Sequence, residues 1–517
     1  MRPIFISTLC AVLFTVPAYG QSPGESDLSQ AYGGAEFVSI ATGVRQPLAT
    51  APAVATVITA RDIREMGATT VEQALEAVPG VHVSVAGAGY GSIFEIRGIY
   101  SEFNPEVLFL INGIPITNLF LGNRGQGWGG MPVEDISRIE VIRGPGSALY
   151  GADAFAGVIN IVTKTAGEIH GTETGVRGGS FDTYSGWLLH GGDYRGTKVA
   201  FALQVRSSGG FDGIVSQDAQ TALDRLFSTH ASLAPGSVNT QGKWVDARLD
   251  VSRGHWRARA GYQGQFDFGT GAGGSFALDP VGRGEAHRFN ADLTYETLDL
   301  NPNWDLKARL SYFDVATKTD LVLFPPGAFG GAFPNGVIGN PQVFERQGRL
   351  NLSVFYTGLR RHRVRIGTGV FYGDLYNTRE TKNFTLGSGG ILIPLGGLVD
   401  VSQSVPFIRP HHRINAYVYL QDEWDFARDW ALTAGVRYDR YSDFGGTTNP
   451  RLALVWQARY DLTAKLLYGR AFRAPSFAEL FSINNPIGLG NRKLKPETIN
   501  TVELAFDYQP TPAFRAG

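Results

Sequence analysis

Cysteine, methionine and long apolar runs are all scarce in this sequence of 517 residues. The only cysteine, Cys10, lies in the apolar run Ile4–Val16, which follows Arg2 and precedes the small residues around Gly20. This pattern predicts a secretory signal peptide over residues 1–20. Cleavage after Gly20 would leave no thiol, which excludes disulfides, thiolate metal sites and a cysteine nucleophile. No later apolar run reaches the length of a membrane helix.

An excess of charge of one sign is also missing, since 46 basic and 47 acidic side chains give a formal net charge of -1. Nothing therefore indicates a nucleic-acid partner. The sequence has no nucleophile elbow, no zinc-spaced His/Glu set and no phosphate-binding loop, so we expect no enzymatic activity and no cofactor. Glycine (66), phenylalanine (32) and tyrosine (20) are abundant, which is typical of many short strands joined by turns.

Residues 50–165 combine helix and strand patterns. Thr59 and Thr70 are predicted N-caps of helices over Ala60–Met66 and Val71–Ala77. Short apolar strands are predicted at Ile93–Ile96, Val107–Ile111, Ile136–Ile142 and Val158–Val162. The segment is therefore predicted to be a small α+β domain.

From about residue 170 onward, apolar and polar residues alternate with period two, as in Val199, Phe201 and Leu203. The connections between predicted strands alternate in length, which places the long loops at one end. The long connections are Ser208–Lys243, Asp267–Ala286, Thr317–Gly348, Asn377–His412, Ser442–Asn449 (the shortest) and Ala471–Glu497. A soluble antiparallel sandwich also alternates, but it has no reason to keep this asymmetry. The pattern predicts a large antiparallel transmembrane β-barrel with roughly fourteen strands present.

A barrel that encloses a separate domain is expected to have about 22 strands. Since an open sheet edge in lipid leaves backbone groups unpaired, we expect the sequence to be truncated at its C-terminus. The complete protein would then continue for about eight more strands.

Several motifs stand out in the α+β domain and the predicted barrel. They are Ile96-Arg97-Gly98, Leu110–Pro115, Arg138–Ile142, Arg143–Gly151 and Gly157–Lys164, with Phe472–Pro475 and Leu494–Thr498 in the barrel. Together they resemble the plug and barrel motifs of TonB-dependent outer-membrane receptors. The resemblance assigns a plug signature to Arg97, Gly98, Asn112, Gly113, Arg143, Gly144, Pro145, Tyr150, Gly151, Gly157 and Asn160. It implies active import across the outer membrane of a Gram-negative bacterium, by a receptor that is expected to be a monomer in outer-membrane lipid.

The resemblance also implies that Arg97 and Arg143 of the plug meet carboxylates of the barrel, because buried arginines need partners. Glu503 is the first candidate for this role and Glu497 is the second.

The segment Glu36-Phe37-Val38-Ser39-Ile40-Ala41-Thr42 is similar to the TonB box of this family. A flexible segment over residues 21–49 would present it to TonB of the inner-membrane energy-transducing complex by strand addition. The alternative is that these residues form an ordinary first strand of the plug.

By resemblance, the ligand would bind between the outer loops and three plug loops at 86–91, 100–104 and 118–130. The candidate ligand-binding residues there are Tyr90, Tyr100, Phe103, Phe120, Arg124 and Trp128. Aromatic rings with one cation suit a flat, anionic metal chelate, although such rings also serve ordinary packing. A ferric siderophore is the first expectation and cobalamin the second. Haem is less favoured because no histidine lies between Pro475 and Asn491. The alternative from another class is a passive outer-membrane channel, which would need no plug.

Overall fold

The computed structural model describes residues 37–517 except 88–90, 487 and 512–513. The predicted signal peptide, Glu36 and Tyr90 lie outside the described residues. Within the described ranges, no helix is long and apolar enough to cross a bilayer.

The α+β domain contains a five-stranded sheet, a two-stranded sheet and three short helices. Its elements are β3 (Ala55–Thr59), α1 (Ala60–Glu65), α2 (Val71–Glu76), β4 (Val81–Val85), β5 (Ser92–Ile96), β6 (Val107–Ile111), β7 (Ile114–Pro115), β8 (Ile136–Arg143), α3 (Ser147–Tyr150) and β9 (Gly157–Thr163). The larger sheet has the order β3-β8-β9-β6-β7, and β6 pairs with β9 in parallel. Every residue of β6 is buried, as its continuous apolar sequence predicts. The predicted α+β plug is confirmed.

Of the two predicted N-cap threonines, one makes a side-chain capping hydrogen bond and the other does not. Thr59 forms a capping box with Asp62: the Asp62 N–H donates to the Thr59 hydroxyl oxygen, and the Asp62 carboxylate accepts the N–H of Thr59. Thr70 precedes α2 but its side chain makes no capping hydrogen bond. The N–H of Val71 instead donates to the carbonyl of Met131, because the chain from the β7–β8 connection lies against this end of the helix. The expectation of a Thr70 side-chain cap is therefore wrong.

The N-terminal residues before the plug are ordered in three short elements. These are β1 (Phe37–Val38), β2 (Gln46–Pro47) and a 3-10 helix at Leu48–Thr50. β1 and β2 pair with each other in an antiparallel hairpin.

The remaining chain forms one large antiparallel sheet of 16 strands. Its strands are β10 (Gly171–Gly179), β11 (Thr183–Tyr194), β12 (Thr197–Ser208), β15 (Gly242–Arg253), β16 (Trp256–Gly269), β17 (Arg283–Asn301), β18 (Trp304–Phe324), β19 (Val337–Tyr356), β20 (His362–Leu386), β21 (Leu392–Asp400), β22 (His411–Ala427), β23 (Trp430–Tyr441), β24 (Gly445–Arg459), β25 (Leu462–Arg473), β26 (Glu497–Thr511) and β27 (Phe514–Ala516). The connections also contain β13 (Ile214–Val215), β14 (Gly236–Ser237), α4 (Ala219–Phe227), α5 (Phe477–Phe481) and a 3-10 helix at Ser388–Gly390. Apart from β21, which pairs only with β20 beside the main strand order, and the short β27, the sheet has fourteen strands, as expected.

Consecutive strands pair with their neighbours from β10 to β27, and these two strands are the ends of the order. The sheet is therefore barrel-like and is not closed by the described residues. The predicted tight turns join strands at Gly254, Pro302, Arg361, Arg428 and Tyr460. The expected long connection Ser442–Asn449 is wrong, because β24 already begins at Gly445 and leaves a turn of residues 442–444.

Longer strands also shorten other expected connections, among them Thr317–Gly348 and Asn377–His412. The expected loop Thr317–Gly348 is mostly strand, because β18 extends to Phe324 and β19 begins at Val337. The extended strand ends bury Leu321 and Leu323 against Phe384 in an apolar cluster, and this packing stabilises the extra strand residues.

The two faces of the sheet have opposite polarity. In β22, Ile414 and Val418 are exposed, whereas Arg413, Asn415 and Gln421 are buried. An apolar outer face and a polar inner face are expected for a barrel whose outside contacts lipid.

Arginines of the inner face donate to backbone carbonyls of the plug and of the N-terminal segment before it. Arg437 of β23 donates to Leu149, and Arg451 of β24 donates to Ala41 and Pro52, at 2.8 to 2.9 Å. Each carbonyl would otherwise be buried without a partner. The arginines that recur on the polar face therefore hold the plug inside the sheet.

Candidate ligand site and plug anchors

A cavity of about 750 Å³ lies between the plug loops and the strand ends that carry the long connections. We call it the outer cavity. Its apolar wall contains Phe103 and Phe120 of the plug with Phe268, Phe276 and Phe407 of the barrel. The volume lies within the range of cavities that bind small molecules. The outer cavity is therefore the candidate ligand site.

Carboxylates outnumber cations in the lining of the outer cavity. Its acidic residues are Glu102, Glu106, Glu345, Glu380, Glu479 and Glu497, and its basic residues are Arg124 and Arg473. Both oxygens of Glu345 accept plug N–H groups, from Leu119 and Phe120. Arg473 is already paired with Glu479 and Glu497 at 2.7 to 2.8 Å. This balance does not match the anionic chelate that the sequence suggested.

Arg124 is a structural residue of the plug, with a 5 % exposed side chain. Its guanidinium donates to the carbonyls of Ser92 and Asn104, and it lies over the ring of Phe109 at 4.8 Å. Burial lowers the pKa of Arg124 to about 9. These contacts engage the Arg124 guanidinium, which was expected to contact the ligand.

Trp128 is also part of the plug core, with 4 % exposure. Its ring packs edge-on against Phe94 and Phe109, with centroids 6.0 and 5.1 Å away. The plug thus uses Arg124 and Trp128 for its own packing, while both also line the outer cavity, and their expected contact with ligand stays a prediction.

The other described candidate residues differ in how much of their side chain is exposed. Tyr100 and Phe103 are 55 % and 48 % exposed, and Phe103 lines the outer cavity. The Tyr100 hydroxyl donates to Glu102 at 3.0 Å. Phe120 is half-buried and packs against Phe407, with ring centroids 5.6 Å apart. Phe103 is thus the most accessible described aromatic residue of the plug in this cavity.

Of the two signature arginines, one has a barrel carboxylate as partner. Both guanidinium Nη atoms of Arg97 donate to Glu503, the second at 3.1 Å. Arg143 instead donates to the Pro79 carbonyl at 2.5 Å and to Thr56 at 3.1 Å. The expected pairing of Arg143 with a barrel carboxylate is therefore wrong, since neighbouring plug atoms take its donors.

Glu497, the second candidate partner, is bound to Arg473 rather than to a plug arginine. Arg473 and Glu497 face each other in the register of β25 and β26, so Glu497 is engaged by a cross-strand partner within the barrel.

The signature glycines lie where a Cβ would clash or where the backbone has a positive φ. Gly144 has φ +120°, and a Cβ there would lie 2.7 Å from Glu503 Oε1. Gly98, Gly113 and Gly151 also have positive φ, which favours glycine. A Cβ at Gly157 would lie 2.5 Å from the Ile142 carbonyl oxygen.

Two signature asparagines hold the ends of β6 and β9 together. Asn160 Oδ1 accepts the N–H of Gly113 at 2.8 Å, and Asn112 Oδ1 accepts the N–H of Thr163 at 3.1 Å. These two asparagines therefore stabilise the plug.

The N-terminal segment Phe37–Thr42, which was expected to be flexible, is packed against the plug and the barrel. Val38, Ala41 and Thr42 have no exposed surface. The carboxylate of Glu140 accepts the N–H groups of Ser39 and Ile40 at 3.2 and 3.1 Å.

Three further groups bind the carbonyls of this segment. The Tyr150 hydroxyl donates to Ile40, Arg451 donates to Ala41 and Arg365 donates to Thr42, at 2.7 to 3.0 Å. Sequence reasoning missed Glu140 as an anchor, although a carboxylate in the apolar strand Ile139–Ile142 was a signal of a buried partner.

These features define a barrel-type outer-membrane protein whose inner face is filled by a separate plug. Residues 47–158 match the family described as "TonB-dependent Receptor Plug Domain". Residues 227–516 match the family described as "TonB dependent receptor-like, beta-barrel". The chain belongs to the TonB-dependent receptor family, and its location is the outer membrane of a Gram-negative bacterium.

Two relatives in sequence and one solved structure are similar to this chain. The "Iron-regulated outer membrane virulence protein" of Vibrio cholerae (strain ATCC 39541) is 35 % identical over 541 residues, covering 98 % of this chain and 70 % of the relative. The "Vitamin B12 transporter BtuB" of Vibrio vulnificus is 26 % identical, with 91 % and 67 % covered. The siderophore receptor PirA of Acinetobacter baumannii has a similar fold, with a TM-score of 0.63, 18 % identity, and 89 % and 70 % covered. The chain spans about two thirds of the length of these proteins.

Proposed function

We propose that this receptor imports a scarce metal chelate across the outer membrane, with a ferric siderophore as first candidate. The observation that carries the proposal is the outer cavity, in which an apolar wall and several carboxylates converge above a plug that fills the sheet. Family membership and the iron-regulated relative support the same assignment. A passive channel is disfavoured because barrel cations bind the plug at many carbonyls.

The lining of the outer cavity favours one kind of ferric complex. Glu102 and Glu106 repel an anion, whereas Glu380 is paired with Lys382, and the charge of Arg473 is offset by two carboxylates. A complex with an apolar periphery and a neutral or positive net charge, such as a hydroxamate complex, fits this surface. A strongly anionic catecholate complex does not.

Cobalamin is the second candidate cargo. The relative named as a vitamin B12 transporter matches 91 % of this chain. The same lining would accept a corrinoid, because its wall is apolar and carries no net positive charge. Haem is less favoured, since His411 is stacked on Phe481 with ring centroids 3.9 Å apart.

We further propose that TonB engages the segment around Phe37–Thr42 by adding a strand to it. The segment supplies apolar and β-branched residues, which suit strand addition. Its carbonyls and N–H groups are held by Glu140, Tyr150, Arg365 and Arg451, so engagement would first release these contacts.

The cargo proposal is tested by equilibrium binding to the purified receptor. A neutral ferric hydroxamate, an anionic ferric catecholate, cyanocobalamin and haem are titrated separately, and binding is followed by quenching of tryptophan fluorescence. Tightest binding of the hydroxamate complex is expected. Preference for cyanocobalamin would move the assignment to the second candidate, and preference for the catecholate would contradict the charge argument.

A further inference from the structure

Two of the long connections meet at the outer cavity. One joins β21 to β22, and the other joins α5 to β26. The N–H of Ile483 donates to the Phe407 carbonyl at 2.8 Å, and the side-chain amide of Asn484 donates to the Pro406 carbonyl at 3.2 Å. These hydrogen bonds join two segments that are far apart in the sequence. We call the two segments, residues 401–408 and 482–486, the joint wall.

The joint wall supplies part of the lining of the outer cavity. Its lining residues are Phe407, Ser482, Asn485 and Pro486. The ring of Phe407 also packs against Phe120 of the plug, with ring centroids 5.6 Å apart. A cargo in the outer cavity would therefore contact the joint wall, and the position of this wall would affect how well the cavity holds the cargo.

One buried ammonium group bonds both segments of the joint wall. Lys382 of β20 has no exposed surface. Its Nζ donates to the Glu380 carboxylate at 3.1 Å, to the Val405 carbonyl at 3.0 Å and to the Asn484 carbonyl at 3.3 Å. An ammonium group has three N–H donors, and these three acceptors use all of them. Since Val405 and Asn484 belong to different segments, Lys382 holds both segments to the same strand.

The lining of the outer cavity does not include Lys382 itself. It would therefore act on a cargo only through the two segments that it bonds. A buried charge is costly unless it is paired and hydrogen-bonded, and Glu380 provides the pairing. Loss of the ammonium group would leave this buried carboxylate without its cation and would free the Asn484 carbonyl from β20.

We propose that Lys382 is a positioning residue for the outer cavity, which fixes the joint wall and thereby slows the escape of a bound cargo. The inference rests on the proposed function, because it requires a cargo in the outer cavity. Without Lys382, the two segments keep only the hydrogen bonds of Ile483 and Asn484 to each other. The joint wall would then loosen while the pairing of β20 with β19 remains.

The first measurement needs no cargo. Hydrogen exchange of residues 482–486 is followed in the detergent-solubilised full chain of the parent and of Lys382→Met, which keeps a long side chain without donors. The protection factor of Ile483 should fall about tenfold or more, because a charge-assisted hydrogen bond is lost. Lys382→Gln retains two N–H donors for the carbonyls and should show a smaller fall, which separates loss of these bonds from loss of folding.

The matched control is Lys318→Met, because the Lys318 side chain is 43 % exposed and is bonded to Glu285. This control should protect residues 482–486 as the parent does.

The second measurement is the dissociation rate of the neutral ferric hydroxamate complex, from the stopped-flow recovery of tryptophan fluorescence. Lys382→Met should release the complex about tenfold faster, in proportion to the loosening of the joint wall. The association rate should change little, because variants of one site differ mainly in dissociation. A general loss of structure would lower the number of binding sites instead of changing one rate. Lys318→Met should bind and release the complex as the parent does.

Equal protection of residues 482–486 in Lys382→Met and in the parent would overturn the proposal. A loosened joint wall with an unchanged dissociation rate would also overturn it. Failure of the parent to bind the hydroxamate complex would count against the proposed function, and hydrogen exchange would still decide whether Lys382 fixes the joint wall.

Discussion

Arg97 of the plug and Glu503 of β26 form a two-pronged ion pair across the plug–barrel interface. Gly144 lies against the same carboxylate, and a Cβ at this position would lie 2.7 Å from Glu503 Oε1. Two separate signature motifs, Ile96-Arg97-Gly98 and Arg143-Gly144, are thus explained by one contact. The arginine supplies the charge, and the glycine leaves room for the carboxylate.

The ion pair predicts a measurable coupling between its two residues. In a double-mutant cycle with Arg97→Ala and Glu503→Ala, we expect a coupling free energy of about 1 kcal/mol, because the Arg97 side chain is partly exposed. The measurement is thermal unfolding of the detergent-solubilised chain. The reference cycle uses Arg459 and Asp461, a pair at a turn whose arginine is largely exposed. A coupling no larger than the reference would show that the pair does not hold the plug.

Arg124 and Phe103 should respond oppositely to substitution. Arg124→Gln should destabilise the plug by about 3 kcal/mol or more, since a buried hydrogen-bonded cation is lost, without a specific effect on ligand affinity. Phe103→Ala should leave stability within about 0.5 kcal/mol and weaken ligand binding. The measurements are plug proteolysis and equilibrium binding of the ferric complex. Intact binding by Phe103→Ala would remove this residue from the candidate site.

The long connection between β12 and β15 should loosen in acid. Burial alone would raise the pKa of Asp224, but hydrogen bonds from Thr229, Gln220 and Ser232 outweigh it and hold the pKa below its ordinary value. A depressed folded pKa contributes stability that is present above about pH 4 and is lost as the pH falls further.

Asp224→Asn should imitate the protonated state at neutral pH. The protection factors of residues 219–232 against hydrogen exchange should therefore be lower in this variant than in the parent, and they should no longer fall on acidification. Asp212→Asn, a change at an exposed residue of the same connection, is the control and should exchange as the parent does. Unchanged exchange in Asp224→Asn would contradict the role of these hydrogen bonds.

The alternation of connections predicts which end of the barrel faces outward. Gly330 lies in a long connection and Gly254 in a tight turn, and both have positive φ and open space around them. An epitope inserted at Gly330 should be accessible to antibody on intact cells. The same epitope at Gly254 should be detected after the outer membrane is permeabilised. The reverse result would mean that the orientation is inverted.

The strands of the barrel and the plug were predictable because their signals are local. Period-two alternation indicates barrel strands, and the continuous apolar run Val107–Ile111 indicates a buried plug strand. Turn residues such as Arg253-Gly254 mark the ends of strands. Each signal needs only a few neighbouring residues, so one sequence is enough.

The packing of Phe37–Thr42 and the role of Arg124 were not predictable for the opposite reason. Ile40 is held by Glu140, 100 residues away, and Thr42 is held by Arg365, 323 residues away. Arg124 lies in a loop by sequence, and only the fold brings Ser92 and Asn104 to its guanidinium. The acidic lining of the outer cavity likewise comes from glutamates that are scattered along the chain.

Energy-dependent uptake is the central claim, and a comparison of two substitutions at Val38 tests it most directly. Both Val38→Pro and Val38→Ala remove the same buried side chain, but only proline removes the backbone N–H that an added strand could use. Uptake of radioactive iron from the ferric complex and surface binding of that complex are measured in cells with and without TonB. The account predicts normal binding by both variants, with uptake by Val38→Ala in the presence of TonB and none by Val38→Pro. Equal uptake by the two variants, or uptake that persists without TonB, would contradict it.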